Sequence, residues 1–413
     1  MALSLGRRRG QKTKGLGISR VSYRSMAVAA FIFSLFAVAF WQGLIFAPNA
    51  VLSPSLSQEA GGLRVVANKE KTSPIRKWDS SKSVLMGLAS GYGKHTFEQF
   101  VGSLRATGFS GAIILGIASD APRDVLDYLA ETNVTVKIVT LGPCTYHDEP
   151  SKCLVGLPDY KLSWARFPLY KQWLLDCKEC TDGIMMTDVQ DAYFQADPFT
   201  HSSIKYPVPG LMTFEEIYPD LTTENWLTNA PIEKCKGYEI GNHPMLCSGS
   251  TMGTREGILS YIDVMMKELD VWNKDKQCHS STMVGDDQSI HNHLYYSGMF
   301  GKDTAAIPHR TGPIHVVGVQ ANKIFRAAIK EAEEVGDDEK WVNGHRLYGT
   351  EDKWQEWLDP KHGLIDPKTG LITNLDGSPS PQVHQFDRFG LSFGRFYLDR
   401  KMAEWQLQLK NVS

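Results

Sequence analysis

An uncharged run at residues 26–46 constrains this 413-residue chain more than any other feature of its sequence. As a helix, the run would span roughly 32 Å, which matches the thickness of a bilayer core. The preceding residues, 1–25, contain seven lysines and arginines and no acidic residue. Because basic flanks stay on the cytoplasmic side, we expect a single signal anchor with the bulk of the chain across the membrane.

A cleaved signal peptide is the alternative interpretation, with its cleavage region at residues 47–50. The apolar part of a signal peptide is usually shorter than this run, at about 7–15 residues. Residues 47–80 are rich in Ser, Pro, Ala and Gly, which predicts a stem. The predicted order is a cytoplasmic tail (1–25), the anchor (26–46), the stem (47–80), a folded domain (81–400) and a C-terminal tail (401–413).

Charge and cysteine content indicate which partners and which covalent bonds to expect. The net charge of −2 gives no basis for a nucleic-acid partner, and 10% aromatic residues argue against disorder. Outside the cytosol, the seven cysteines are expected to form disulfides, and their odd number leaves at least one unpaired. Spacing does not reveal their pairing. A structural zinc at Cys177 and Cys180 is not favoured, because no second C-x-x-C accompanies them.

The pattern from residue 83 onward predicts an α/β fold. Apolar runs predict strands at 83–89, 111–118 and 134–141, and apolar residues at helical spacing predict helices at 96–107 and 122–131. Short connections between alternating strands and helices favour a parallel sheet. Ligands of such sheets gather at the carboxyl ends of the strands, where residues 90–94 would lie.

The rest of the chain continues the alternation with less regularity. The later predicted elements are helices at 162–176, 255–269 and 289–297, strands at 183–187 and 314–319, and a strand and turn at 244–253. Residues 336–381 are polar and predict a long, partly ordered loop region that borders the site. This region contains Trp341, Trp354 and Trp357.

Two acids follow the apolar run at 183–187 directly. Asp188 and Asp191 would stand at the carboxyl edge of the sheet, where both can converge on one cation. Carboxylate oxygens suit Mg²⁺ or Mn²⁺, and such an ion can neutralise a diphosphate as it leaves. The alternative is an ordinary turn in which both acids are solvated or cap the backbone.

The run MMTDVQDAYFQADPF, at residues 185–199, resembles the metal-site segment of GT-A glycosyltransferases. In that superfamily a hydrophobic strand ends in a D-x-D or related motif, and several families continue to Asp/Asn-Pro-Phe. Here the spacing is D-x-x-D. With Pro198-Phe199 setting the register, Asp191 matches the second acid, Val189 occupies the first position, and Asp188 is displaced by one.

Other segments resemble the same superfamily. The opening strands and helices are similar to its nucleotide-binding half, which implies that Ala89 and Tyr92 lie near the base or ribose. CSGSTMGT (247–254) resembles the strand and turn bordering the donor and acceptor pocket. GDDQSIHN (285–292) resembles a late segment whose acid contacts the donor sugar or acceptor, or acts as base. Asp287 matches that acid best, and Asp286 is the alternative.

The resemblance also implies a histidine ligand near the C-terminus. His384, in VHQFDRFG (383–390), is the best match, with His309 and His315 as competitors. Arg388 would contact a phosphate, and Arg166 is a further candidate for donor binding. Taken together, the segments resemble a plant and algal family of GT-A-like transferases whose donor and acceptor the resemblance does not supply.

The resemblance implies a GT-A-like catalytic domain with a mixed, mostly parallel sheet flanked by helices. The expected reaction moves a sugar from a nucleotide diphosphate sugar, with UDP the expected nucleotide, to a glycan or glycoprotein, with Mn²⁺ or Mg²⁺ as cofactor. A Golgi or other secretory-pathway membrane, with the catalytic domain lumenal, is the expected location. The alternatives are a carboxylate-based glycoside hydrolase and a non-catalytic glycan-binding protein.

Overall fold

The computed structural model describes residues 77–146, 149–157, 160–217, 220–224, 228–275, 278, 286–321, 340–342, 345–347, 364–366, 368–389, 398–399 and 401–404. The predicted anchor, at residues 26–46, lies outside these ranges and stays a prediction. Within them, no helix combines the length and the apolar character that a membrane span requires.

The strands of the described residues belong to one large sheet and several small ones. They are β1 (Val84–Leu88), β2 (Ala112–Ala118), β3 (Thr135–Val139), β4 (Leu141–Tyr146), β5 (Glu149–Leu154), β6 (Gly183–Thr187), β7 (Ala192–Phe194), β8 (Leu211–Glu215), β9 (Leu246–Thr254), β10 (Thr304–Ile307), β11 (Ile314–Val316), β12 (Lys340–Val342), β13 (His345–Leu347), β14 (Ile365–Asp366), β15 (Leu371–Ile372) and β16 (Gln382–His384).

The large sheet has seven strands in the order β10-β8-β9-β6-β1-β2-β3. Strand β9 is antiparallel to both of its neighbours, and the other adjacent strands are parallel. The predicted α/β fold with a mostly parallel sheet is therefore confirmed. Because β9 runs against β6, the beginning of β9 lies beside the end of β6, with Ser250 opposite Thr187.

Helices cover both faces of this sheet. Helix α1 occupies residues 94–106, where a π-helical turn, Glu98–Gly102, separates Lys94–Phe97 from Ser103–Ala106. The other helices are α2 (Arg123–Glu131), α3 (Leu162–Asp176), α4 (Asn229–Lys236), α5 (Arg255–Lys274) and α6 (Asp286–Tyr296).

Alternating side chains along a strand belong to two separate hydrophobic clusters, one on each face of the sheet. In β1, Val84 and Met86 join the cluster formed with α3, α5 and α6, whereas Leu85 joins the cluster formed with α1 and α2. This division follows from the two-residue period of a strand, which sends neighbouring side chains to opposite faces. The result is a three-layer arrangement that leaves the strand ends at its rim open for polar residues.

Sequence patterns located many elements correctly. The helix at 162–176 and the strand at 183–187 occur as predicted, and α5 extends five residues beyond the predicted end at residue 269. The prediction was wrong where it extended one strand over 134–141, because β3 ends at Val139 and a hairpin, β4–β5, begins at Leu141. The predicted loop region at 336–381 contains the short strands β12 to β15, and the part at 348–363 lies outside the described residues.

Disulfides pair six of the seven cysteines. Cys144–Cys153 joins the two strands of the β4–β5 hairpin, and the other two bonds are Cys177–Cys180 and Cys235–Cys278. Because Cys177 and Cys180 bond each other, this C-x-x-C does not offer thiolates to a metal. Cys247, which is buried in β9, is the unpaired cysteine that the odd count predicts.

A small three-stranded sheet, β11-β16-β7, brings the C-terminal part of the chain to the end of β6. Strand β7 follows Asp191 directly, and β16 pairs with it in antiparallel register, with His384 opposite Ala192. The backbone N–H of Gln385 donates to the carbonyl of Asp191 at 2.7 Å. Pairing of β16 with β7 therefore places His384 next to Asp191, although about 190 residues separate them.

The Gly257→Ala variant tests the packing of α5 against the sheet. A Cβ at residue 257 would lie 1.9 Å from the carbonyl oxygen of Gly210, a backbone atom. We expect the variant to lower the free energy of unfolding by about 1–3 kcal/mol, although alanine normally favours a helix by about 1 kcal/mol. Thermal unfolding would measure the change.

Gly93→Ala is the matched control, since no heavy atom lies within 4 Å of a Cβ built there. A melting temperature of Gly257→Ala at or above that of the wild type would contradict the packing described.

Candidate metal centre at the carboxyl end of the sheet

The turn after β6 directs two acids to the same side. The backbone N–H of Asp188 donates to the carbonyl of Gly249 at 2.7 Å, which continues the pairing of β6 with β9. Residues 189–191 then bend, and Val189 packs into the core with 2% of its surface exposed. The bend brings Asp191 back beside Asp188, so a D-x-x-D spacing gathers both carboxylates at one point.

His384 completes a three-residue group. Carboxylate oxygens of Asp188 and Asp191 and a ring nitrogen of His384 all lie within 4.8 Å of one another. The Nε2 atom of His384 is 3.3 Å from Oδ1 of Asp191. Both atoms are buried, yet neither has a hydrogen-bond partner among the described residues.

Such atoms are expected where a ligand satisfies them. Buried polar atoms normally have partners, and leaving them without partners costs free energy. Two carboxylates and one imidazole form a donor set that suits Mn²⁺ and also accepts Mg²⁺. The residues present therefore fit a divalent cation.

Gly249 provides the room in which these side chains meet. A Cβ at this position would lie 2.5 Å from Oδ2 of Asp188 and 2.7 Å from Cε1 of His384. Any side chain at residue 249 would therefore occupy the space between these two residues. The requirement explains a small residue inside the CSGSTMGT segment, where strand formation alone would favour a larger one.

Arg166 joins Asp188 of this group to Asp287, an acid outside it. Its Nη1 donates to Oδ1 of Asp188 at 2.8 Å, and its Nη2 donates to Oδ2 of Asp287 at 2.7 Å. Nη2 also donates to the carbonyl of Ser248 at 3.0 Å. The guanidinium is buried, and these contacts fix its position, so Arg166 orients Asp188 and Asp287.

Neighbouring charges shift the pKa values of the group in different directions. Desolvation raises the pKa of Asp188, and the nearby Asp191 adds to this effect, although Arg166 opposes it. Burial also disfavours the charged form of Asp191, but His384 outweighs burial and lowers the pKa of that carboxyl. Burial alone would lower the pKa of His384, whereas the adjacent Asp191 raises it well above its usual value.

The other predicted site residues differ in burial and in contacts. Tyr92 is half-buried, and burial together with the charges of Asp188 and Asp191 raises its pKa. Ala89 follows β1, its side chain is 1% exposed, and its N–H donates to the carbonyl of Gly116. Arg388 is about half exposed and contacts Asp387 at 2.6 Å. Their roles in donor binding stay predictions.

Of the two predicted candidates for the catalytic acid, the structure describes the side chain of Asp287 and not that of Asp286. Asp287 lies in the first turn of α6 and joins the cleft through Arg166, and Oγ of Ser248 also donates to it at 3.4 Å. The side chain of Asp286 lies outside the described residues. The catalytic role of either acid stays a prediction.

The rival histidines lie outside the three-residue group. His315 is opposite Val383 in the β11–β16 pairing, so its side chain faces away from the side that His384 occupies. Its Nδ1 atom lies 3.1 Å from the hydroxyl of Ser380, and its ring contacts that of His309. Burial lowers the pKa of His309 to about 4, so its ring is neutral at ordinary pH.

Sequence patterns did not single out every residue near the group. Glu216 follows β8, is 4% exposed, and accepts from Nε2 of Gln288 at 3.0 Å. Burial raises the pKa of Glu216. Gln288 was visible in the GDDQSIHN segment, but Glu216 stands in the run LMTFEEIY, which carries no signal of a site.

Comparisons with known proteins do not assign this site. No family model matches the chain, and no curated protein shows significant similarity to it.

The Gly249→Ala variant tests whether the three side chains share one ion. The added methyl group would displace Asp188 and His384 from their present positions, so we expect Mn²⁺ affinity to fall at least about tenfold. Electron paramagnetic resonance of free Mn²⁺ during titration would measure binding, and circular dichroism would verify the fold.

Gly142→Ala is a suitable control because its Cβ would meet only Cγ2 of Val155, at 3.3 Å. Equal Mn²⁺ affinity for Gly249→Ala and the wild type would exclude this group as the ion site.

Proposed function

We propose that this chain is a metal-dependent glycosyltransferase that transfers a sugar from a nucleotide diphosphate sugar, with UDP the expected nucleotide, to a hydroxyl group of a glycan or glycoprotein. The observation that carries the proposal is the convergence of Asp188, Asp191 and His384, with Nε2 of His384 and Oδ1 of Asp191 buried and without hydrogen-bond partners among the described residues.

The chemistry of the donor set supports the proposal. Asp188, Asp191 and His384 would hold a divalent cation, with Asp191 and His384 as the more buried ligands. When bound, such an ion supplies charge neutralisation for a departing diphosphate. A departing diphosphate carries several negative charges, so a nearby cation would stabilise it as it leaves.

Position within the sheet gives further support. The acids follow β6, and Tyr92 lies in the turn after β1, the neighbouring parallel strand. Ligands of parallel α/β sheets occupy the carboxyl ends of adjacent strands. A nucleotide near Tyr92 would therefore reach Asp188 and Asp191 with its phosphates, and Arg388 would meet the same phosphates from the C-terminal segment.

Arg166 and Asp287 are assigned to the sugar side of the cleft. Arg166 holds Asp287 as it holds Asp188, so the two carboxylates stay at a fixed separation. We expect Asp287 either to orient the transferred sugar or to take the proton of the acceptor hydroxyl. Asp286 remains the alternative for this role.

The resemblance to GT-A glycosyltransferases agrees with the mixed, mostly parallel sheet flanked by helices. The predicted anchor and stem would place the catalytic domain in the lumen of the Golgi or another secretory compartment. Three disulfides in the described part of the chain agree with an oxidising compartment.

The direct experiment is a screen of the full-length chain, purified in detergent, against a panel of nucleotide sugars with Mn²⁺ and with EDTA. We expect release of the nucleoside diphosphate with at least one donor, and its loss in EDTA. In the Asp191→Asn variant we expect turnover to fall at least about 100-fold, because a neutral amide is a poor ligand for a hard cation.

Asp263→Asn is the matched control, since Asp263 is an acid on α5 that pairs with Lys171 at the surface. Wild-type turnover by Asp191→Asn would contradict the assignment. Hydrolysis of oligosaccharides that EDTA does not affect would favour a glycoside hydrolase instead. Glycan binding without affinity for UDP would favour a non-catalytic binding protein.

A further inference from the structure

Cys247 stands directly behind the histidine of the candidate metal centre. It is the second residue of β9, is 1% exposed, and is the cysteine that forms no disulfide. Its Sγ lies 3.5 Å from Nδ1 of His384, on the opposite side of the ring from Asp191. The imidazole is therefore held between a sulfur atom and a carboxylate.

A third residue, Gln385, shows that the sulfur of Cys247 is placed to accept hydrogen bonds. Nε2 of Gln385 lies 3.8 Å from the same sulfur atom, and an amide NH₂ group can only donate. The sulfur therefore acts as an acceptor toward Gln385, and it can also accept from His384, depending on the tautomer of the ring. An acceptor at this position favours a proton on Nδ1 of His384 and leaves the lone pair of the ring on Nε2.

Nε2 is the atom that has no hydrogen-bond partner among the described residues, and it faces Oδ1 of Asp191. A histidine binds a metal through the nitrogen that carries the lone pair, and the group bonded to its other nitrogen sets its tautomer and ring orientation. Gly249, two residues after Cys247 on β9, leaves the space in which Nε2 meets Asp188.

We propose that Cys247 is a positioning residue for the metal ligand His384. Its sulfur accepts the Nδ1–H of the imidazole and directs Nε2 toward the ion held with Asp188 and Asp191. This inference rests on the proposed function, because it assumes that the three-residue group binds a divalent cation. It assigns a purpose to a buried thiol that sequence patterns left unexplained.

Substitutions at residue 247 separate this role from simple packing. Cys247→Val fills the buried volume but cannot accept a hydrogen bond, whereas Cys247→Ser keeps an acceptor in a smaller side chain. We expect Mn²⁺ affinity to fall about 10–100-fold in Cys247→Val, and to fall less in Cys247→Ser than in Cys247→Val. Titration of Mn²⁺ followed by electron paramagnetic resonance would measure both.

Thr213→Val is the matched control, because Thr213 is a buried polar residue of the adjacent strand β8 and its hydroxyl donates to Ala305 at 3.4 Å. We expect wild-type Mn²⁺ affinity for this variant. Wild-type affinity in Cys247→Val, or a larger loss in Cys247→Ser than in Cys247→Val, would overturn the role of Cys247.

A spectroscopic readout covers the case in which Cys247→Val fails to fold. Long-range ¹⁵N–¹H correlation spectra of the Mg²⁺-loaded wild type should show His384 with a proton on Nδ1 and none on Nε2. The opposite tautomer would overturn the inference. A wild type that binds neither Mn²⁺ nor Mg²⁺ would instead refute the proposed function, which distinguishes the two failures.

Discussion

Repulsion among three neighbouring carboxylates is the constraint on which the candidate metal centre depends. Asp188, Asp191 and Asp287 come from two distant parts of the chain, and Arg166 is the buried cation that lies between two of them. Removal of Arg166 would leave the mostly buried Asp287 without a charge partner, whereas Asp188, whose side chain is about half exposed, depends on it less. Without an ion, His384 supplies a second positive charge, because Asp191 raises the pKa of its ring. A divalent cation bound at Asp191 would provide this compensation instead.

The fold supplies the geometry that this electrostatic arrangement requires. Strand β9 runs against β6, so its first residues, which include Ser248 and Gly249, reach the same edge as Asp188. The sheet formed by β7, β16 and β11 then adds His384 from the C-terminal segment. Each contribution depends on a strand pairing, so the site forms only when distant parts of the chain have packed together.

Local sequence patterns predicted the positions of the main strands and helices well. An apolar run that ends in acids gave the position of β6 and Asp188, and helical spacing gave α3 with the buried Arg166. The sequence predicted that Asp188 and Asp191 can converge on one cation but left a solvated turn as the alternative. The choice between them depends on the bend at 189–191 and on the burial of Val189. The ion pairs of Arg166 could not be predicted either, since they join residues up to 121 positions apart.

The contribution of Glu216, which lies in no motif, and that of Cys247, which lies in the CSGSTMGT segment but was given no role there, were missed for a related reason. Glu216 and Cys247 stand in strand-like surroundings, where an isolated acid or thiol is most simply a surface or core residue. Their proximity to the cleft follows from the β8–β9 pairing, in which Phe214 lies opposite Cys247. His384 was found only through a resemblance, because its partner in the sheet, Ala192, lies far away in sequence.

The central claim is that Asp188, Asp191 and His384 hold one divalent cation against a diphosphate. The most direct measurement is anomalous diffraction at the manganese edge from crystals grown with Mn²⁺ and UDP. The account predicts a single strong anomalous peak within coordination distance, about 2.0–2.4 Å, of oxygens of both acids and Nε2 of His384, with density for the diphosphate beside it. UDP bound in this cleft without manganese, or manganese bound elsewhere, would contradict it.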